Sequence, residues 1–447
     1  MTADPSAVAK AHFIRDSLPP GGLFAGHTWR ISPAPFPLDP LVAAELESLG
    51  RVLLQFYRAV NLLYRKSWEG KQPEWVARWL DQGKPRELIE LQRSPAFKND
   101  VPRVIRPDLL ITEHGLSVTE LDSVPGGIGL TAWLNQTYSK PEIRNPKSEI
   151  IGGAEGMLRG FESIFGDAGT VHLVVSEEAA TYRPEMEWIA GQLNRRGAST
   201  FNLQPSTFNQ FASGDAVYRF FELFDLAHVP DGKTIFELAA AKQIRVTPPP
   251  KPVFEEKMLF ALLWNRNLRD FWRQELGENF FNRLLRLTPY TWLVDPNPLP
   301  PHAAIPELNL TDWQQLKTLS QKERNLILKV SGFSEQAWGA HGVFLGSDLS
   351  HADWAAAVDR AISGFDSSPF VLQRYHKPGL VEAVWFDFER NQPAPMPGRA
   401  RLCPYYFVAG DGDAARAQLG GALATICPAD KKIIHGMTEA IFAPCST

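Results

Sequence analysis

Three carboxylates crowd one short stretch of the chain: Asp108, Glu120 and Asp122, within Arg106-Pro-Asp108-Leu-Leu-Ile-Thr-Glu-His-Gly-Leu-Ser-Val-Thr-Glu120-Leu-Asp122-Ser-Val-Pro-Gly-Gly-Ile-Gly129. The stretch reads as two strands joined by a turn at His114-Gly115 and running into a glycine-rich loop. Strand side chains alternate, so Glu120 and Asp122 share a face, and Asp108 on the neighbouring strand comes near them. Carboxylates gathered in this way repel one another unless a cation sits among them. Hard oxygen donors suit Mg²⁺ or Mn²⁺, which keep several waters and bridge to phosphates. A solvated acidic edge strand satisfies the same spacing.

A second stretch offers a cation. In Leu326-Ile-Leu-Lys329-Val-Ser331-Gly332-Phe-Ser334, continuing through Gly339 to Gly342, a lysine ends an apolar strand and a polar, glycine-bearing loop follows. Lysine is a point charge suited to phosphate, and glycine lets backbone N–H groups approach an anion. A surface hairpin with a snorkelling lysine reads the same way. The chain contains no GxxxxGK[ST] P-loop. A third stretch, Phe370-Val-Leu-Gln373-Arg-Tyr375, runs from an apolar strand into a polar turn. It is either a core strand leaving its sheet or a hinge that presents backbone groups to a nucleobase.

Together these stretches resemble the circularly permuted branch of the ATP-grasp family, typified by glutathionylspermidine synthase. In that branch an Arg-X-Asp motif precedes a Glu-X-Asn motif, and here Glu120 follows Asp108 by the same 12 residues. The resemblance implies roles residue by residue. Arg106 and Arg401 would meet substrate or phosphate, with Arg399 as the alternative to Arg401. Lys257 and Lys329 would be the two ATP lysines. Ser331, Gly332, Gly339 and Gly342 would line the closing loop, Gln373 and Tyr375 the hinge, and Asp108, Glu120 and Asp122 would hold Mg²⁺. Asp122 departs from the usual asparagine, and the Ser-Val-Pro-Gly-Gly that follows departs from the family's thiol-peptide segment. What the resemblance implies is an ATP-dependent ligase joining a carboxylate to an amine, of the amino acid, peptide or polyamine class, through an acyl phosphate. The alternative is a nucleotide-binding regulatory or scaffold protein that keeps the fold without turnover. A weaker rival is dinucleotide binding, because Gly127-Ile-Gly129-Leu-Thr-Ala132 fits G-x-G-x-x-A.

The elements that must position these residues follow from periodicity. At 447 residues, 44% hydrophobic and 21% charged, the chain supports two or three globular domains. Residues 1–40 are Pro- and Gly-rich and read as an irregular lead-in, 42–65 as an amphipathic helix, and 131–138 as a short helix. Val171–Val175, a helix over 184–196 and a strand over 199–203 make a βαβ unit, with a third strand from Val217. After the Pro-rich run at 247–252 the chain is helical over 254–290. Strands follow at 325–330, 343–345, 370–375, 381–388, 399–408 and 419–426, with a helix at 353–364. The expected fold is mixed α/β: an ATP-grasp core split by permutation over 1–150 and 251–447 around a Rossmann-like middle domain at 151–250.

A formal net charge of −4 gives no general pull toward nucleic acid or anionic membrane. No apolar run reaches 18 residues, the first residues lack a signal-peptide pattern, and Cys403, Cys427 and Cys445 form no CxxC pair. A reduced, cytoplasmic setting is expected.

Overall fold

The computed structural model describes residues 5–447 apart from 27, 198, 205–210, 231, 338–341 and 435–438. Contacts divide the chain into two compact units, each built from separated segments: residues 1–55, 95–249 and 377–447, and residues 56–94 and 250–376. The long helix Pro40–Trp68 runs through the division.

In the first unit the acidic motif forms the expected hairpin, Val104–Thr112 paired antiparallel with Gly115–Asp122. Gly115 takes φ +105, a conformation that a side chain would strain, which places the turn. Arg106 pairs with Asp122 and Asp108 with Glu120, after which the register slips so that Leu109 meets Val118 and Thr119 is extra. The hairpin is one end of a sheet ordered Arg30–Ile31, Ile441–Ser446, Arg416–Pro428, Gln392–Ala409, Val104–Thr112, Gly115–Asp122. Gln392–Ala409 also pairs with Val381–Asp387.

That strand starts well before the expected position 399. Pro393, Pro395 and Pro397 had masked it, but residues two apart send their N–H groups to the same edge, so all three missing donors fall on one side. The lead-in is also more ordered than expected. Pro5–Asp16 is a helix, and Arg30–Ile31 and Phe36–Pro37 pair with the last strand, Ile441–Ser446, which the sequence reading missed.

A second sheet in this unit is wholly parallel, ordered Thr200–Gln204, Thr170–Val175, Ala216–Phe220, Arg245–Thr247. Helices Ile128–Tyr138, Gly156–Ser163 and Arg183–Arg196 carry Leu134, Phe161 and Ile189 into one core with Leu173, Phe220 and Phe407 of the two sheets.

The other unit holds a sheet ordered Val343–Leu345, Leu326–Val330, Phe370–Arg374, Thr291–Leu293, antiparallel throughout. One face, with Leu326, Leu328, Val330, Phe370, Leu372 and Trp292, packs with Trp354, Val358 and Ala361 of helix His351–Ser363. Ser350 caps that helix by accepting the Asp353 N–H at 3.1 Å.

Gly129 is a point of close backbone contact near the acidic hairpin, since an added Cβ would sit 2.5 Å from the Glu185 carbonyl oxygen. Gly129→Ala must therefore push helix 128–138 off helix 183–196, and a loss of about 2 kcal/mol or more is expected from overpacking. Urea-denaturation midpoints check it, and a midpoint equal to wild type would show that the contact yields freely.

Candidate functional site: a charged sheet face and a lysine-bearing sheet face

Three adjacent strands of the first unit set their chemistry on one face. Leu402 pairs with Leu109 and Tyr406 with Ile105, so Cys403 lies opposite Asp108 and Tyr405 opposite Arg106. Arg401, Cys403 and Tyr405 alternate with core residues and share the face of Arg106, Asp108, Glu120 and Asp122. Arg106 bridges two carboxylates, with Nε 3.2 Å from Asp108 Oδ1 and a terminal nitrogen 3.0 Å from Asp122 Oδ2. It also donates to the Gly126 carbonyl at 3.2 Å. Arg401 donates to Asp108 Oδ2 at 2.9 Å, and the Cys403 thiol to Asp108 Oδ1 at 3.4 Å.

Burial disfavours both arginine charges, but Asp108 and Asp122 outweigh it for Arg106 and Asp108 does so for Arg401, so both stay cationic. Burial raises the Asp122 carboxyl above its ordinary value; Arg106 opposes that rise, while Glu120 and Asp108 add to it. Burial pushes the Cys403 thiol to about 12, which leaves it a thiol rather than a nucleophile.

This arrangement revises the three-carboxylate expectation. Both oxygens of Asp108 face guanidinium groups, so its task is to hold Arg106 and Arg401. Among the described residues no group of three His, Cys, Asp or Glu side chains could hold a metal ion. Glu120 and Asp122 share that face, with Asp122 in an ion pair with Arg106 at 3.0 Å. Two carboxylates plus phosphate oxygens and waters fit Mg²⁺; a closed three-carboxylate cage does not form. Arg399, the alternative to Arg401, donates to the Pro378 and Ala429 carbonyls, while its neighbour faces Asp108.

The glycine loop is held by a residue absent from the sequence reading. Glu185 is fully buried and accepts the Gly127 N–H at 2.8 Å and the Leu130 N–H at 3.1 Å. It therefore caps helix Ile128–Tyr138 from a different segment of chain. This decides against dinucleotide binding, because the helix N-terminus that would receive a pyrophosphate already holds a carboxylate. The fingerprint also follows an antiparallel hairpin rather than a strand of the parallel sheet. Tyr405 donates to the Gly126 carbonyl at 2.8 Å, and the Tyr182 ring leaves no room for a Cβ there.

In the other unit, register puts Lys329, Ile327, Val371, Gln373, Thr291, Leu293, Val343 and Leu345 on the sheet face opposite the Trp354 core. The Lys329 ammonium donates to Gln373 Oε1 at 3.0 Å, and Gln373 Nε2 donates to Thr291 Oγ1 at 3.0 Å. All three are buried. Its burial sets Lys329 apart from the snorkelling lysine of a surface hairpin.

The expected hinge is partly occupied by the sheet itself: Arg374 N–H donates to Tyr290 O at 2.9 Å and Tyr375 N–H to Asn325 O at 3.1 Å. Lys257 Nζ reaches the Ala337 carbonyl at 3.3 Å. The hydroxyl of Ser331 donates to the Glu256 carboxylate, and its lone pair accepts the Met258 N–H, so it is used internally. Gly332 and Gly342 are places of close packing, where a Cβ would lie 2.5 Å from Glu255 O and 2.6 Å from Gln336 O. Gly339 lies outside the described residues.

Glu185, Cys403, Tyr405, Thr291 and Glu256 were not singled out by sequence. The period-two run Arg401-x-Cys403-x-Tyr405 could have supplied two of them. Glu185 sits on a helix that reads as plainly amphipathic, and its role exists only through contact with residues 127–130.

No family model matches the chain, and no curated protein matches it. Among solved structures it is similar to a glutathione synthetase-like effector from Globodera pallida in its apo form. The two share 10% identity at a TM-score of 0.56, over 98% of this chain and 96% of that one. It also matches a gamma-glutamylcysteine synthetase candidate from Methylobacillus flagellatus KT at 12% identity and TM-score 0.41, over 89% and 87%, which is too loose to carry an argument. The fold is thus mixed α/β with several sheets, similar to the glutathione synthetase-like fold. No helix among the described residues is long and apolar enough to cross a membrane.

Glu185 makes stability depend on pH. Burial raises its carboxyl from 4.5 to about 7 in the fold, against the pull of the backbone N–H groups of Leu130, Gly127 and Gly129. A raised folded-state value means that the folded protein binds the proton more tightly than the unfolded chain. Its contribution is therefore fully present below about 4.5, falls as pH rises, and levels off above about 7. The loss over that window is on the order of 3 kcal/mol. Urea midpoints across that window should show this decline in wild type and not in Glu185→Gln. Parallel declines in both proteins would assign the effect to another group.

Proposed function

We propose that the chain is an ATP-dependent carboxylate–amine ligase of the permuted ATP-grasp type. The observation that carries this reading is the shared face of Arg106, Arg401, Glu120 and Asp122, which sets two permanent cations beside an acidic pair on neighbouring strands. Acyl-phosphate chemistry asks for this combination. The substrate carboxylate oxygen attacks the γ-phosphorus and ADP leaves. The amine nitrogen then attacks the acyl carbon, phosphate departs, and the nitrogen loses its proton. The protein positions the reactants and neutralises charge, without forming a bond of its own.

In this reading Lys329 and Lys257 hold phosphate oxygens, and the apolar residues around Gln373 take the base. Arg106 and Arg401, oriented by Asp108, face the acyl phosphate. Glu120 and Asp122 would hold Mg²⁺, which supplies charge neutralisation on the phosphates when bound. The 331–342 segment, of which 338–341 lie outside the described residues, would cover the triphosphate and keep water from the acyl phosphate. The substrates are of the amino acid, peptide or polyamine class.

One observation favours the second reading, a nucleotide-binding regulatory protein without turnover. Arg106 already pairs with both Asp108 and Asp122. The two readings part on ADP release with Mg²⁺ and pooled amino acids, peptides and polyamines. Amine- and carboxylate-dependent ADP formation supports the ligase, whereas ATP binding with no ADP formation replaces it with the regulatory protein.

Two substitutions test the assignments. Lys329→Ala should weaken ATP binding by an amount on the order of 1.5–3 kcal/mol, the scale of a charge-assisted contact, with Lys329→Arg only partly restoring it. Glu120→Gln should abolish turnover and lose most of the thermal stabilisation that Mg²⁺-ATP gives wild type, which is a few kcal/mol at saturating ligand. Equal stabilisation of both proteins by Mg²⁺-ATP would remove Glu120 from the metal site.

A further inference from the structure

At Ser331, just past the end of the Lys329 strand, lies a second polar network. Lys84 and Glu256 form an ion pair at 2.5 Å, with side chains only 0% and 1% exposed. The other carboxylate oxygen accepts the Ser331 hydroxyl. Ser331 in turn accepts the Met258 N–H on Oγ at 2.9 Å and the Lys257 N–H on its carbonyl at 2.7 Å, and donates its own N–H to Pro369 O at 2.8 Å. Gly332 then passes so close to Glu255 and Glu256 that a Cβ would meet the Glu255 carbonyl at 2.5 Å. On the Lys84 side, Gly83 at φ +71 lies against the Ser367 carbonyl with no room for a side chain.

Three segments far apart in sequence, 82–84, 255–258 and 329–332, are thus fixed to one another at a fully buried carboxylate. A buried ion pair adds little net stability, because desolvation offsets most of its attraction. What this one does is geometric. Glu256 is the residue before Lys257, and Ser331 lies two residues beyond Lys329 on the same extended run. Fixing Glu256 to Ser331 sets the separation of the two lysine-bearing backbones.

We propose that Lys84, Glu256 and Ser331 are positioning residues that set the spacing of Lys257 and Lys329 for the phosphates of a nucleoside triphosphate. The proposal rests on the nucleotide reading above. The Glu256 carboxylate, desolvated and held by Lys84, ties the Lys257 segment to the start of the loop that follows Lys329. None of the three side chains touches the nucleotide.

The test is isothermal titration with ATP and, separately, with adenosine, on wild type and on Lys84→Met/Glu256→Leu. The double variant replaces the pair with apolar groups of similar volume, so no unpaired charge is buried. ATP affinity should fall about tenfold while adenosine affinity is unchanged, because only phosphate contacts depend on the lysine spacing. Should the double variant not fold, Ser331→Ala is measured in its place, with the same split expected. Unchanged ATP affinity in a variant, beside a wild type that binds ATP, overturns the positioning role and leaves the nucleotide reading standing. An equal loss for ATP and adenosine makes the network a general structural support and overturns it too. A wild type that binds neither ligand overturns both readings.

Discussion

The guanidinium of Arg106 sits between two carboxylates, and much of the first unit is arranged around that fact. Its neighbours come from three strands and a loop: Asp108 on its own strand, Asp122 across the hairpin, Tyr405 on the next strand and the Gly126 carbonyl beyond. Removing one partner of such a pair leaves an uncompensated buried charge, which is far more costly than the intact pair is stabilising. Strand register therefore has almost no freedom here. A one-residue slip would turn Asp108 into the core and leave Arg106 facing apolar side chains. The bulge at Thr119 belongs to the same constraint, since it keeps Asp108 and Glu120 opposite each other while Leu109 and Val118 stay inside.

The two sheet faces solve a similar problem in different ways. On the hairpin face, charge is balanced by opposite charge at ion-pair distance. On the face of Lys329, the ammonium donates to the neutral oxygen of Gln373, which Thr291 orients in turn.

Much of this was legible in the sequence because period-two patterns survive translation into sheets. The hairpin turn at 114–115, the strands near Lys329 and Gln373, and the βαβ unit from Val171 could be read from alternation and glycine placement. What the sequence hides is pairing across distance. Nothing local to Lys84 marks it as the partner of Glu256, and nothing local to Glu185 marks it as the cap of a helix that begins at Ile128. Counting carboxylates within one stretch leaves out Arg401, which reaches Asp108 from 293 positions away. The strand Ile441–Ser446 was missed because Pro444 interrupts its pattern, although the proline is tolerated beside Leu423.

That strand has a consequence for how the molecule comes to exist. Ile441–Ser446 lies between Arg416–Pro428 on one side and Arg30–Ile31 on the other, with Phe36–Pro37 continuing the contact. During synthesis the earliest strands of the large sheet wait, unpaired, until some four hundred further residues have left the ribosome. Their exposed edge is a template for wrong partners throughout that interval. The brevity of Arg30–Ile31 and Phe36–Pro37, two residues each, limits what such an edge can capture. A ribosome stalled short of residue 441 would thus hold the acidic hairpin and the Arg401 strand while Arg30–Ile31 and Phe36–Pro37 still lacked their partner.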